Sequence, residues 1–317
     1  MDIQIKKKLL WAVTLSVTLT AVLLLKIDLS QFPLIAARMD RNQMLIACSV
    51  FFIANIIRTY RFYKLDTANN KLGHWWLMNQ IYNFMTSTLP GGAGEVATVY
   101  LLKRFSSLNI LGALRLLILT RIMDLASLSA LLFFAATQIS KSAPYRNTAL
   151  WISGVALILS VVIAHPKSER YIVGVLKKIP IKGRVKDFLC DKLEDVAQLS
   201  EKRGGAFFAL MLAQSMGIMI GSALTVHFAL LSFGTGFLLV QSLYCFGVYA
   251  FFQMVPVQGI AGIGTQAAWW SLGLALAGYK SPDMIALGIV LHITFYLLIT
   301  AMCVPPILYW FTVRKSS

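Results

Sequence analysis

Leu89-Pro90-Gly91-Gly92-Ala93-Gly94-Glu95 interrupts an apolar run that extends over 75–102. A second interruption, Val255-Pro256-Val257-Gln258-Gly259-Ile260-Ala261-Gly262-Ile263-Gly264, divides the apolar run 237–278. Proline removes a backbone donor and glycine disfavours helix, so each run reads as two half-helices joined by a kinked turn. Around them lie uninterrupted apolar stretches at 9–25, 44–57, 110–136, 148–164, 205–231 and 284–311. A membrane span needs roughly 20 such residues. The composition agrees: 58% of the 317 residues are hydrophobic, only 13% are charged, and mean hydropathy is +0.71. A soluble domain carries about 25% charged residues to cover its surface, and a disordered chain is poor in apolar residues, so both classes are excluded.

Net charge is +16. Without the apolar runs this would suggest nucleic acid; with them it points to the cytoplasmic side of a membrane. Placing the N-terminus in the cytoplasm and treating both broken runs as re-entrant hairpins leaves 21 Lys/Arg in the inside segments and 6 outside. Lys6, Lys7 and Lys8 precede the first apolar run, which lacks a small-x-small cleavage site and reads as a retained helix. The expected fold is an all-α polytopic membrane protein with about six full transmembrane helices plus two oppositely oriented re-entrant hairpins. Its parts are a first membrane half, 1–164, with hairpin 75–102; a basic segment, 165–204; and a second half, 205–317, with hairpin 237–278. The basic segment suits an amphipathic helix on the cytoplasmic leaflet or a solvated linker. Both termini are then cytoplasmic, in a prokaryotic inner membrane.

Opposed hairpins are the mark of an inverted repeat whose broken helices frame a substrate site near the midplane. The spacing from Glu95 to Arg121 is 26, as is that from Gln266 to His292. Ionisable groups inside spans cost roughly 2.5–3.5 kcal/mol each and so need a reason. Arg121 and Asp124 share a helix face and are placed to pair. They either neutralise each other structurally or present a guanidinium to a phosphate, with Asp124 orienting it. Gly91, Gly92 and Gly94 precede a half-helix whose start attracts anions, although turn chemistry alone accounts for them. Glu95 stabilises that helix start and is placed to pair with Arg121 or Arg58. Asn79 and Asn83 share a face, facing a head group or the broken backbone. Arg58, Arg61 and Lys64, among Thr59, Tyr60, Phe62 and Tyr63, are either interface anchors or a vestibule for anionic head groups. Trp75, Trp76, Trp269 and Trp270 read as belt residues. Cys48, Cys190, Cys245 and Cys303 form no metal or disulfide spacing, and His74, His165, His227 and His292 lie far apart. No cofactor is called for. No Walker loop, nucleophile elbow or H-E-x-x-H occurs, which favours a transporter while leaving a membrane-embedded transferase open.

The motif Leu89–Glu95, followed by apolar residues ending at Leu101-Leu102-Lys103-Arg104, resembles the signature of the lysylphosphatidylglycerol synthase transmembrane region. This is the flippase-like membrane half of the multiple peptide resistance factor. The Arg58–Lys64 segment, Arg121-Ile-Met-Asp124 and the second Pro-Gly break fit the same family. The resemblance implies a lipid translocase that moves an anionic phospholipid or glycolipid. Arg58, Arg61, Asn79 and Asn83 are candidates for head-group binding, while Arg121, Glu95, Asp124 and the glycine turn would form one side of the site, with Gln266 and His292 on the other. The family usually has Glu and Arg at those last two positions, so this chain replaces a charged pair with a neutral one. No soluble aminoacyl-transferase segment is recognised, so lysine transfer is not implied. The alternatives are a transferase on a lipid-linked substrate, or a partner presenting lipid to a separate synthase or glycosyltransferase.

Overall fold

The computed structural model describes residues 30–66, 70–90, 93–105, 110–140, 145–164, 184–254, 259–262 and 264–314. Within them every regular element is helical: α1 (Gln31–Ala37), α2 (Arg41–Leu65), α3 (Leu72–Thr88), α4 (Ala93–Phe105), α5 (Ile110–Gln138), α6 (Arg146–Ala164), α7 (Arg184–Ser232), α8 (Leu239–Gln253), a short 3-10 turn (Ile260–Gly262), α9 (Thr265–Leu276) and α10 (Met284–Arg314). Four of these helices contain stretches long and apolar enough to cross a membrane: Arg41–Leu65, Gly112–Gln138, Gly205–Ser232 and Met284–Pro306. Large apolar side chains such as Leu45, Ile53, Trp151 and Leu297 are exposed on the helices, as expected of faces solvated by lipid. The expected first span, 9–25, and residues 165–183 of the basic segment lie outside the described residues. The expected boundary at 204/205 falls inside a helix, since α7 runs unbroken for 49 residues from Arg184.

Helix α2 starts where Asp40 Oδ1 accepts from the backbone N–H groups of Asn42 (2.8 Å) and Gln43 (3.3 Å), which satisfies two of the orphan donors at a helix start. It ends at Asp66, whose Oδ2 accepts from the Asn70 backbone and from Trp75 Nε1, each at 2.9 Å, and so fixes the turn into α3. Asp40 N–H also donates to the carbonyl of Ser232 (2.8 Å). The start of α2 therefore adjoins the end of α7, and the two helices run antiparallel. Apolar burial does not drive helices together when the solvent is lipid; close approach does. The α2–α7 seam shows it, because a Cβ added at Gly221 would stand 3.0 Å from Ala54 Cβ.

Two helix pairs hang from opposite ends of this post. The pair α3–α4 follows the Leu65 end of α2. Its helices are pressed together so closely that a Cβ at Gly94 would lie 2.5 Å from the carbonyl oxygen of Met85 and 2.6 Å from Thr86 Cα. The pair α8–α9 starts near the other end, where Gln241 Nε2 donates to the carbonyl of Ala277 (3.5 Å). There, too, Arg38 bridges to Asp283 (3.3 Å), and Tyr279 donates its hydroxyl proton to Asp283 (2.9 Å). Burial, reinforced by that bond, holds the Tyr279 phenol above its ordinary range. The far ends of both pairs meet on α10. The hydroxyls of Thr88 and Tyr296 are 3.3 Å apart, and the His292 ring lies 6.2 Å from that of Tyr296.

The main core lies among α5, α7, α8, α9 and α10 around Leu128, Leu230, Tyr244, Leu274 and Leu291. Trp270 belongs to it, sandwiched between Tyr249 (ring centroids 3.6 Å) and Phe295 (5.4 Å). A smaller core gathers Phe62, Trp75, Met78, Leu102 and Leu117. Trp75 and Trp270 are thus buried in packing and are not belt residues, which corrects the sequence reading. The Asp66 carboxylate gives Trp75 a partner for its N–H inside the fold, so the ring need not reach the interface.

Candidate functional site

Among the described residues, polar side chains of α2, α3, α4, α5 and α7 form three hydrogen-bonded groups. Asn55, Thr59, Arg58 and Arg61 lie within two turns of α2, and Asn79 and Asn83 face them from α3. Asn83 Nδ2 donates to Asn55 Oδ1 (2.8 Å), and Asn79 Nδ2 donates to Thr59 Oγ1 (3.1 Å). Arg58 donates to Asn83 Oδ1 (3.1 Å). The two asparagines therefore bridge α3 to α2.

Both carboxylates are paired, and not as helix periodicity predicts. Asp124 takes a two-pronged bond from Arg61, through Nη1 to Oδ1 and Nη2 to Oδ2 (3.1 Å for the second). Arg61 Nη1 also donates to Ser215 Oγ on α7 (2.5 Å). Arg61 is 1% exposed, so the reading of it as an interface anchor or vestibule residue is corrected: its face of α2 turns inward against α5 and α7. Arg121 bonds instead to Glu95 on α4, which closes the 26-residue spacing as a contact. In place of the expected Arg121–Asp124 pair, each has a partner on another helix, a two-pronged one for Asp124 and a single bond to Glu95 for Arg121. Arg121 also lies over the Tyr82 ring, 5.9 Å from its centroid.

The two ion pairs differ in setting. Arg61 and Asp124 are buried, whereas the side chains of Arg121 and Glu95 are 44% and 49% exposed. Arg58 touches Asn83 and has no carboxylate partner among the described residues. Among the described residues, three guanidiniums thus stand against two carboxylates. Beside Asn79 and Tyr82 lies a void of about 10 Å³, at the threshold for one water. Most polar atoms of these side chains are paired within the fold, although Arg61 Nε and Asn79 Oδ1 are buried without a partner, and the exposed edge of the site is at Arg121–Glu95. The larger groove, about 400 Å³, is apolar and lies apart from the charges, between Trp151, Val155, Leu159 and Phe251.

Gly91 and Gly92 lie outside the described residues; Gly94 is the close-contact residue described above. Gln266 and His292 gather at the Ile260–Gly262 turn, but Gln266 Oε1 accepts from Tyr249 (3.2 Å) and no Gln266–His292 bond forms. Sequence reasoning passed over Asn55, Thr59, Tyr82, Ser215 and Tyr249. Asn55 carried a readable signal, as an amide in an apolar stretch one turn before Thr59. The others are ordinary residues whose importance comes only from what faces them.

A helical bundle with broken, paired half-helices, a buried ion pair and four helices long and apolar enough to cross a bilayer defines a polytopic membrane protein. No curated protein and no solved structure matches the chain. Residues 9–303 do match a family, and the chain belongs to it: the lysylphosphatidylglycerol synthase TM region. It is accordingly a flippase-like, lipid-handling membrane protein.

Proposed function

We propose that the chain translocates an anionic phospholipid or glycolipid across a prokaryotic cytoplasmic membrane, through six full spans and two re-entrant hairpins, with both termini in the cytoplasm. The observation that carries this reading is the uncompensated guanidinium beside an exposed ion pair. Arg58 lacks a carboxylate, and Arg121 needs only to leave Glu95 to present a second fork. A phosphate or other anionic head group matches such forks in shape and charge. The buried Arg61–Asp124–Ser215 knot holds α2, α5 and α7 in register, so the exchanging arginine works against a fixed frame. The meeting of the helix pairs on α10 supports rocking of two halves about a central site. No nucleotide motif is present in the sequence, so movement would be passive or gradient-coupled.

The test is lipid movement in proteoliposomes containing a fluorescent anionic lipid. The wild-type chain should equilibrate the lipid between leaflets, and Arg121→Ala should reduce the rate to that of protein-free vesicles. Equal rates for wild type, Arg121→Ala and empty vesicles would reject transport. Lipid binding without movement would point instead to presentation of lipid to a separate synthase or glycosyltransferase, and a change in lipid mass would point to a transferase.

A further inference from the structure

Two guanidiniums of the site rest on aromatic rings, and the two rings touch. Arg61 lies over Phe62, 5.7 Å from the ring centroid, and Arg121 lies over Tyr82 at 5.9 Å. Phe62 and Tyr82 meet edge to face, with centroids 5.9 Å apart and planes at 77°. Phe62 also stacks on Trp75 at 6.0 Å, and Trp75 is fixed by its bond to Asp66. The Tyr82 ring, half-buried on α3, is thus braced by the smaller core while it reaches a cation on α5.

The two contacts are not equivalent. Arg61 is locked by two bonds to Asp124 and one to Ser215, so Phe62 only adds packing to a cation already held. Arg121 gives Nη2 to Glu95, and its side chain is 44% exposed. Lipid handling by this site requires that bond to break, and an unpaired charge at membrane depth is costly. A ring face attracts a cation through its quadrupole and occupies none of the guanidinium N–H donors. The attraction is greatest while the cation is unpaired, because a carboxylate or phosphate at bonding distance offsets the charge that the ring feels. The Tyr82 ring therefore stabilises the interval between partners more than it stabilises either paired state.

We propose that Tyr82 is a positioning residue for Arg121: its ring holds the guanidinium, donors free, while the cation passes from Glu95 to an anionic head group. This rests on the lipid-transport reading above and assigns a residue to its exchange step. Tyr82 then sets the speed of exchange and leaves the affinity for lipid nearly unchanged.

Fluorination of the ring is the test, since each fluorine withdraws density from the ring face and barely alters its size. Tyr82 is replaced in the full chain by phenylalanine and then, through nonsense suppression, by mono-, di- and trifluorinated phenylalanine. Proteoliposomes with increasing fractions of phosphatidic acid, labelled on an acyl chain and bearing phosphate alone as head group, give a maximum rate and a half-saturating fraction for each protein. Tyr82→Phe should match the wild type. The maximum rate should then fall stepwise with fluorination, by about two- to fivefold at the trifluorinated ring, at a constant half-saturating fraction. Tyr82→Leu should be at least as slow as the trifluorinated protein. A maximum rate indifferent to fluorination, a Tyr82→Phe protein as slow as Tyr82→Leu, or a change confined to the half-saturating fraction would overturn the role of the ring and leave lipid transport standing. A wild-type chain that moves no lipid would overturn both.

Discussion

Replacing Arg61 with methionine isolates the buried charge. The change removes both bonds to Asp124 and the bond to Ser215, and leaves a carboxylate enclosed by α2, α5 and α7. Breaking one side of a buried pair costs about 3–5 kcal/mol. Asp124 still feels the attraction of Arg58 and Arg121, so the lower end, about 3 kcal/mol, is the expected value. At about 2 °C per kcal/mol for a chain of this size, the detergent-solubilised protein should melt about 6 °C lower. Arg61→Met/Asp124→Leu removes the orphaned charge as well and should recover more than half of that loss. Arg121→Met supplies the contrast. Its pair with Glu95 is nearly half exposed, so solvent screening limits the loss to under about 1 kcal/mol, although transport should fail. Thermal melts of the four proteins followed by circular dichroism decide the matter. A single Arg61 variant that melts like wild type, or a double variant no better than the single, would refute the assignment of this pair as the buried frame.

Further substitutions test the α3–α4 contact and the Arg38–Asp283–Tyr279 latch. Gly94→Ala places a methyl group against the backbone of α3, which cannot yield as a side chain would. It should cost about 1–3 kcal/mol and slow lipid movement, measured by melting and by the proteoliposome assay. At the latch, Asp283→Ala should cost about 1–3 kcal/mol because it orphans Tyr279 and Arg38 together. Arg38→Ala should cost under about 1 kcal/mol, since that side chain is 52% exposed. Tyr279 has a raised folded pKa, so its contribution is whole below about pH 10, the ordinary tyrosine value, and is lost as pH climbs through the folded value. Alkaline melts should therefore fall in the wild type and flatten in Tyr279→Phe.

Much of this molecule is written in its sequence in one dimension. Pro90 and Pro256 mark where helices break, and hydropathy marks the long helices. The Glu95–Arg121 contact was legible because a glycine-rich break folds α4 back beside α3 and α5. The partner of Asp124 was not, because periodicity reports only neighbours on the same helix, and Arg121 stands three residues away while Arg61 stands 63 away. Arg61 was misread for the same reason: it sits within a basic-aromatic run, and only the inward rotation of its face of α2 separates it from Lys64, which lies near the rings of Tyr60 and Tyr63. Trp75 and Trp270 looked like surface tryptophans until a carboxylate and two stacking rings proved to enclose them.

The surplus guanidinium makes the membrane potential a participant. An unoccupied cluster with one extra positive charge, set part-way through the bilayer, feels a fraction of the roughly 2.3 kcal/mol that 100 mV exerts on a charge crossing the whole membrane. A cluster holding a monoanionic head group is electrically neutral and feels almost none. On the proposed transport reading, an applied voltage would act on the vacant carrier and spare the occupied one, so only one half of the working cycle would be electrogenic.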